Sequence, residues 1–300
     1  MKYNKLFWRT GQEITPETFI QSDNYICAQH NLIRQLIHRQ YYGLLPVNDA
    51  DTDMFSVNAT LNGSEISIDQ LCCNGITKEG YLISFDNDQL PSIAKQMPLS
   101  ISKTPGIYFV VLRIAPFEQT LVEPVINEDV PLALPVYGLD IKESTNIEGN
   151  ELPILKIDNS EANPAIDRNY IPPCMAVCSY QPLVDQFEEL KETLNTILSM
   201  ILKKKDQFQS LIYPVSFLLF DLEQFSKNAS PGDLIQLLKK TVKTFEFFIK
   251  NASLNYAKAV NAPYCRDDIA PALQSLIKCF QDVQRFIGEV KQEKEFMPRI

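Results

Sequence analysis

From Gln181 onward the apolar residues step by four and three, and no other feature of the chain restricts its fold so tightly. Leu183, Phe187, Leu190, Leu194, Ile197 and Ile201 make an unbroken seam at heptad spacing, which an α-helix gathers on one face. The stepping recurs in Leu211, Val215, Leu218, Leu222 and Phe225, and again in Leu234, Leu238, Thr241, Phe245 and Phe248. It returns in Ile269, Leu273, Leu276, Phe280, Val283, Ile287 and Val290. Ser230-Pro231-Gly232 parts the second helix from the third, which Asp233 opens. Asn261-Ala262-Pro263 ends the third, and Arg266-Asp267-Asp268 opens the fourth. Four such helices joined by short turns predict an antiparallel four-helix bundle over 181–300. Leu198 and Leu202 add apolar surface beyond one seam, open to an oligomer interface or to a second core face.

Before that point the period is two. Met54–Leu61 and Glu65–Leu71 alternate apolar and polar around Asn62-Gly63, a hairpin signal. Gly80–Phe85, Ile107–Ile114, Leu132–Ile141 and Leu152–Ile157 are further strand candidates bounded by Gly, Pro, Asn or Asp. Prolines inside or beside several of them suit edges and irregular connections. Strands without interleaved helices predict an antiparallel β-sandwich. The fold class is therefore α+β in two domains: a sandwich with a long N-terminal helix over 1–180, then the helical bundle. Asp167-Arg168-Asn169-Tyr170-Ile171-Pro172-Pro173 forms the junction, where two prolines stop the sheet.

The N-terminal helix is signalled within Lys5–Pro46 and is expected over about 16–41. Thr15 is a suitable N-cap, Pro16 fits the first helical position, and Glu17 complements the helix dipole. Phe19, Ile26, Ile33 and Ile37 recur on one face, and Gly43 is the expected stop. This segment is similar to the N-terminal signature of TssK, the baseplate adaptor of bacterial type VI secretion systems. The matching residues are Trp8 and Gly11, Pro16-Glu17-Thr18-Phe19, Asp23-Asn24-Tyr25 and Tyr42-Gly43. Thr10 and Thr18 depart from it, standing where that family commonly has Glu and His. Ile171-Pro172-Pro173 supplies a second match, an Ile-Pro-Pro element just before the helical region.

The resemblance implies a shoulder-like first domain, similar to that of siphophage receptor-binding proteins, and a neck-like second one. It implies a homotrimer that binds TssF- and TssG-like wedge subunits and links the baseplate to an envelope anchor. The chain ends about ten residues after the fourth seam, so the third domain of longer relatives is expected to be absent. That casts the anchor as different, or as reached through another protein. Trp8, Arg9 and Tyr41-Tyr42-Gly43 are candidates for a partner interface, with closure of the sandwich core as the other reading.

Composition narrows the remaining classes. A net charge of -9 opposes nucleic-acid binding, which needs clustered Lys and Arg. The one basic run, Lys203-Lys204-Lys205, falls at a helix end, where positive charge is favoured. No apolar run approaches ~20 residues, so direct membrane insertion is not expected. Seven scattered cysteines without a Cys-x-x-Cys suggest buried free thiols in a reducing, cytoplasmic setting, peripheral to the inner membrane through the baseplate that the resemblance implies.

His30 and His38 lie ~12 Å apart along a helix, too far to share a metal. Asp49, Asp51 and Asp53 begin like a calcium loop, but Met54 and Thr60 occupy the positions of its Gly and its bidentate Glu. No catalytic motif is present, so the expectation is a structural protein without cofactor or metal. A phage tail or baseplate component is the runner-up, and a carbohydrate-active sandwich enzyme is the alternative from another class.

Overall fold

The computed structural model describes residues 3–37, 41–46, 55–121, 133–161, 163–249 and 254–290. The chain divides into two compact units, Met1–Met175 and Ala176–Ile300, whereas the sequence pattern put the change at 180/181.

In the first unit a helix, α1 (Pro16–Ile37), precedes the strands β1 (Gly43–Leu44), β2 (Ser56–Asn62), β3 (Glu65–Ile76) and β4 (Leu82–Phe85). A short helix α2 (Leu90–Ile93) and the strands β5 (Leu99–Ser100), β6 (Ile107–Leu121), β7 (Ala133–Glu143), β8 (Glu151–Asp158) and β9 (Ala165–Ile166) complete it. Two antiparallel sheets result. In one, β3 pairs with β1, β2, β4 and β5; the other has the order β7-β6-β8-β9. The β2–β3 hairpin closes through Asn62↔Glu65, so its turn residues are Gly63 and Ser64, one place later than the Asn-Gly signal. Gly63 takes φ +62, which a glycine in a tight turn adopts at no steric cost.

Phe109, Val110, Val111 and Leu112 are all buried, as are Leu152–Leu155, so β6 and β8 are covered on both faces. Tyr137 on β7 meets Phe85 on β4 edge to face at 5.2 Å, and its hydroxyl donates to Ser84 O (3.0 Å), tying one sheet to the other. The prolines do not all seek edges. Pro153 lies inside β8, opposite the register shift between Val110 and Val111, and Pro116 falls within the shift between Ala115 and Gln119. A bulge tolerates the missing N–H that a regular ladder would demand. Glu151 is fully buried, yet its carboxylate lies 2.7 Å from Lys142 Nζ and accepts from Glu148 N at 2.8 Å. That pairing offsets the cost of burying the charge.

One sequence expectation about the opening segment fails here. The described part of the helix runs to Ile37, residues 38–40 lie outside the described residues, and Tyr41 and Tyr42 are not helical. Gly43 does not stop the helix: it belongs to β1, with φ +128, paired to Ile76.

The second unit contains α3 (Gln181–Lys203), α4 (Lys205–Gln224), α5 (Pro231–Phe248), α6 (Tyr256–Asn261) and α7 (Ala270–Glu289). Five helices, not four, are thus found among the described residues. The expected third helix stops at Phe248, and the short α6 follows separately, capped by Asn255 Oδ1 on Lys258 N at 3.1 Å. Phe248 ends that seam partly exposed; Leu254, Tyr256 and Ala259 are buried after it. Ser230 caps α5 as its position suggests, accepting from Asp233 N at 3.2 Å. The start of α7 falls at Ala270, with Pro271 in its first turn, instead of at 266–268. Lys204 separates α3 from α4 and sends its ammonium to the carbonyls of Ile287 (2.6 Å), Gly288 (2.8 Å) and Val290 at the end of α7. Lys204 of the basic run therefore serves the C-terminus of α7, whose carbonyls lack intrahelical donors.

Candidate functional site

The surface of α1 reverses the usual logic of an amphipathic helix. Thr15 opens it: its carbonyl accepts from Thr18 N at 3.0 Å, and Thr15 N donates back to Thr18 Oγ1 at 2.9 Å. Thr18, a departure from the TssK-like signature, thus completes a reciprocal cap. A hydrogen bond from the Thr15 side chain holds the Glu17 carboxyl below its usual range. Yet Phe19, Ile26, Ile33 and Ile37 are 59, 46, 50 and 69% exposed, while the buried residue of α1 is Asn31. The docked side is polar: Gln35 Nε2 donates to Glu79 O at 2.5 Å, and Arg34 reaches Asn31 Oδ1 at 3.2 Å and Gly80 O. The apolar stripe faces outward. Covering those four half-exposed side chains would contribute on the order of 3–6 kcal/mol before ordering costs.

Other residues singled out by sequence fall into two groups. Trp8 is 49% exposed, and Arg9 is exposed with its guanidinium over the Phe7 ring at 5.5 Å. Gly11 takes φ +80 in the turn closed by Gln12 N on Arg9 O. Pro16 and Asp23 are exposed, and Tyr25 is half-buried. Tyr42 is half-buried beneath the Lys78 ammonium, 5.1 Å from its ring centre.

The second group is internal. Gly43 and Ile171-Pro172-Pro173 are buried, and the structure brings these two distant motifs together. Leu44 N donates to Pro173 O at 2.8 Å, Met175 N to Leu44 O at 2.9 Å, and Leu44 bridges Cys174 in parallel. A Cβ on Gly43 would lie 2.2 Å from Pro173 O, so only glycine allows this approach.

In the second unit Leu183, Phe187, Leu190, Leu194, Ile197 and Ile201 are all buried, Leu198 is half-buried and Leu202 exposed. A feature that sequence reasoning passed over lies on α4. Tyr213, Phe217 and Phe220, spaced i, i+4, i+7, are 75, 67 and 56% exposed. They flank a complete buried seam of Leu211, Val215, Leu218 and Leu222, and that surplus was the available signal.

Among the described residues no group of three His, Cys, Asp or Glu side chains could hold a metal ion. His30 is exposed; His38, Asp49, Asp51, Asp53 and Met54 lie outside the described residues. The seven cysteines are free, and burial, aided by Cys72, pushes the Cys73 thiol up to about 12, far from nucleophilic reactivity. No helix among the described residues is long and apolar enough to cross a membrane.

No family model matches the chain, and no curated protein matches it in sequence. Solved structures do match in fold. A crystal structure of TssK is similar over 94% of this chain and 72% of its own length, at 15% identity and a TM-score of 0.65. A chain of the TssK-TssF-TssG baseplate subcomplex of the type VI secretion system, determined by cryo-electron microscopy, is similar over 95% of this chain and 100% of its own length. Its identity is 13% and its TM-score 0.59. A chain of the type VI secretion baseplate complex covers 98% of this chain and 71% of its own, at 14% identity and a TM-score of 0.57. Similar to these structures along nearly the whole chain, this protein has the fold of TssK.

Proposed function

We propose that the chain is a TssK-type structural subunit of a contractile type VI secretion baseplate, acting by binding rather than by catalysis. The observation that carries the reading is the fold likeness to TssK over 94% of the chain, spanning both units. Two outward apolar surfaces supply the means. Three copies assemble through the helical unit, burying the Tyr213-Phe217-Phe220 stripe of α4, and α1 with Trp8 then offers equivalent faces to TssF- and TssG-like wedge subunits. Exposed apolar side chains of this kind are paid for only when a partner covers them. The assembly works in the cytoplasm, peripheral to the inner membrane, and links the baseplate to an envelope anchor.

Coexpression with the TssF- and TssG-like proteins of the same genome tests this. The expected result is a copurified complex and, for the chain alone, a light-scattering mass near three times 34.2 kDa that persists on dilution. Replacing Phe19, Ile26 and Ile33 together by Ser should abolish copurification and leave the mass intact. A stable trimer that ignores the wedge proteins would favour a phage-like tail component, and a stable monomer would overturn the assembly altogether.

A further inference from the structure

The outward faces of the helical unit differ in chemistry from helix to helix. Helix α3 packs against α4 and α7, and α5 packs against the same two, so α3 and α5 stand at opposite corners, as do α4 and α7. The outward line of α7 is Gln274, Lys278, Gln281 and Arg285, all hydrophilic, and across from it α4 shows Tyr213, Phe217 and Phe220. The two remaining corners carry opposite charge. Opposite its buried seam α3 exposes Asp185, Glu189 and Glu192, whereas α5 exposes Gln236, Lys240 and Lys243 on the corresponding line. Lys191 of α3 lies off that line and pairs with Glu188 at 3.3 Å; on α5 the acids Asp233 and Glu246 fall near the two ends. Glu189, Glu192, Lys240 and Lys243 have no ion pair among the described residues. The two helices also begin at one level: Val177 N and Cys178 N, just ahead of α3, donate to Ala229 O (3.0 Å) and Lys227 O (2.9 Å), just ahead of α5. From their first residues, Gln181 and Pro231, Glu189 and Lys240 lie ~12–14 Å along the axis, and Glu192 and Lys243 follow each by three.

We propose that the acidic face of α3 docks on the basic face of α5 of a second copy of this chain, Glu189 and Glu192 meeting Lys240 and Lys243. The faces are complementary but lie on opposite sides of one unit, so the contact is head-to-tail and closes only as a ring. Rotation about an axis parallel to the helices preserves height, and the equal distances from the helix starts then bring the two pairs of charges level. With α4 toward that axis, its three aromatic side chains are covered, and the hydrophilic line of α7 is left to water. The contact rests on the reading of α4 as the assembly surface and adds what an aromatic stripe does not provide, a register and a direction around the ring. Exposed ion pairs contribute little to affinity, whereas like charges set face to face oppose association strongly.

Charge swapping in the full-length chain tests this, read by sedimentation velocity over a dilution series. The double variant Lys240→Glu/Lys243→Glu should need a concentration at least ~10-fold higher than the parent to assemble, as should Glu189→Lys/Glu192→Lys. Combining all four substitutions should restore parental assembly, because each reversed face then meets its reversed complement. Melting temperatures should stay at the parental value, since all four side chains are exposed. Should a reversed variant fold poorly, zero-length carbodiimide cross-linking of the unmodified chain decides. Amide links from Lys240 or Lys243 to Glu189 or Glu192 are expected by mass spectrometry in the two- and three-chain gel bands and absent from the one-chain band. A parental trimer whose reversed variants assemble unchanged, whose quadruple variant is not restored, or which lacks those links would overturn the α3–α5 contact and leave the α4 reading standing. A parental chain that stays monomeric would overturn both.

Discussion

Two glycines that sequence inspection treats alike behave very differently. Gly11 and Gly43 both have positive φ, +80 and +128, but nothing lies within 4 Å of a Cβ built on Gly11, whereas Pro173 O and C crowd Gly43 at 2.2 and 2.3 Å. Gly11→Ala should therefore cost about 1 kcal/mol, the price of a left-handed backbone alone. Gly43→Ala adds a clash with backbone that cannot move without breaking the Leu44–Pro173 hydrogen bond, and should cost about 3 kcal/mol or more. Urea denaturation of the two variants checks this, and equal costs would mean that the Gly43–Pro173 contact is not what constrains the site. The family-like residues thus separate by physics: Gly43, Ile171, Pro172 and Pro173 hold backbone together, while Trp8, Arg9 and Phe19 present surface.

Helices α1 and α3 show how one periodic pattern serves opposite ends. Both repeat apolar residues on one face, but α3 buries its six seam residues and α1 turns its stripe to solvent. Docking α1 through Asn31, Arg34 and Gln35 needs only a few polar contacts to the turn at Glu79 and Gly80, which leaves the other face free. The seam of α3 is irreplaceable by comparison. Leu194→Asp should lower stability by several kcal/mol, because an unpaired carboxylate would be held in an apolar interior. Asn195→Asp, one residue away and exposed, should be nearly silent in thermal melts followed by circular dichroism. Similar shifts for both would refute a buried seam.

For the whole molecule, the proposed assembly depends on which apolar surface a second copy would cover. On the helical unit the stripe of Tyr213, Phe217 and Phe220 offers three large aromatic side chains, the residue type that dominates interface energetics. Replacing Tyr213 and Phe217 by Ser should convert the assembly to monomers in light scattering and leave the melting temperature of the monomer unchanged, since neither side chain is in the core. A variant that stays assembled would move the contact elsewhere, with Leu202, Phe247 and Phe248 the remaining exposed large apolar side chains among the described residues of that unit to examine. A net charge of -9 favours dispersal of such a molecule in solution.

Periodicity alone gave the broad plan: strands before about residue 180, helices after it, and a capped helix at Pro16. Those features depend on contacts between near neighbours along the chain, so hydrophobic spacing, N-caps and turn glycines reveal them. The extra break before α6, the pairing of Gly43 with Ile76 and the bulges that accommodate Pro116 and Pro153 depend on how elements meet, and no local signal encodes them. Neither does local pattern say which face of a helix is wet. The heptads of α3 and the stripes of α1 and α4 read the same in one dimension, and only packing decides that the first is interior and the other two are surface. The pairing of Gly43 with Pro173, 130 residues apart in the chain, is likewise tertiary, because a backbone contact across that distance exists only once the sheets have brought the two segments side by side.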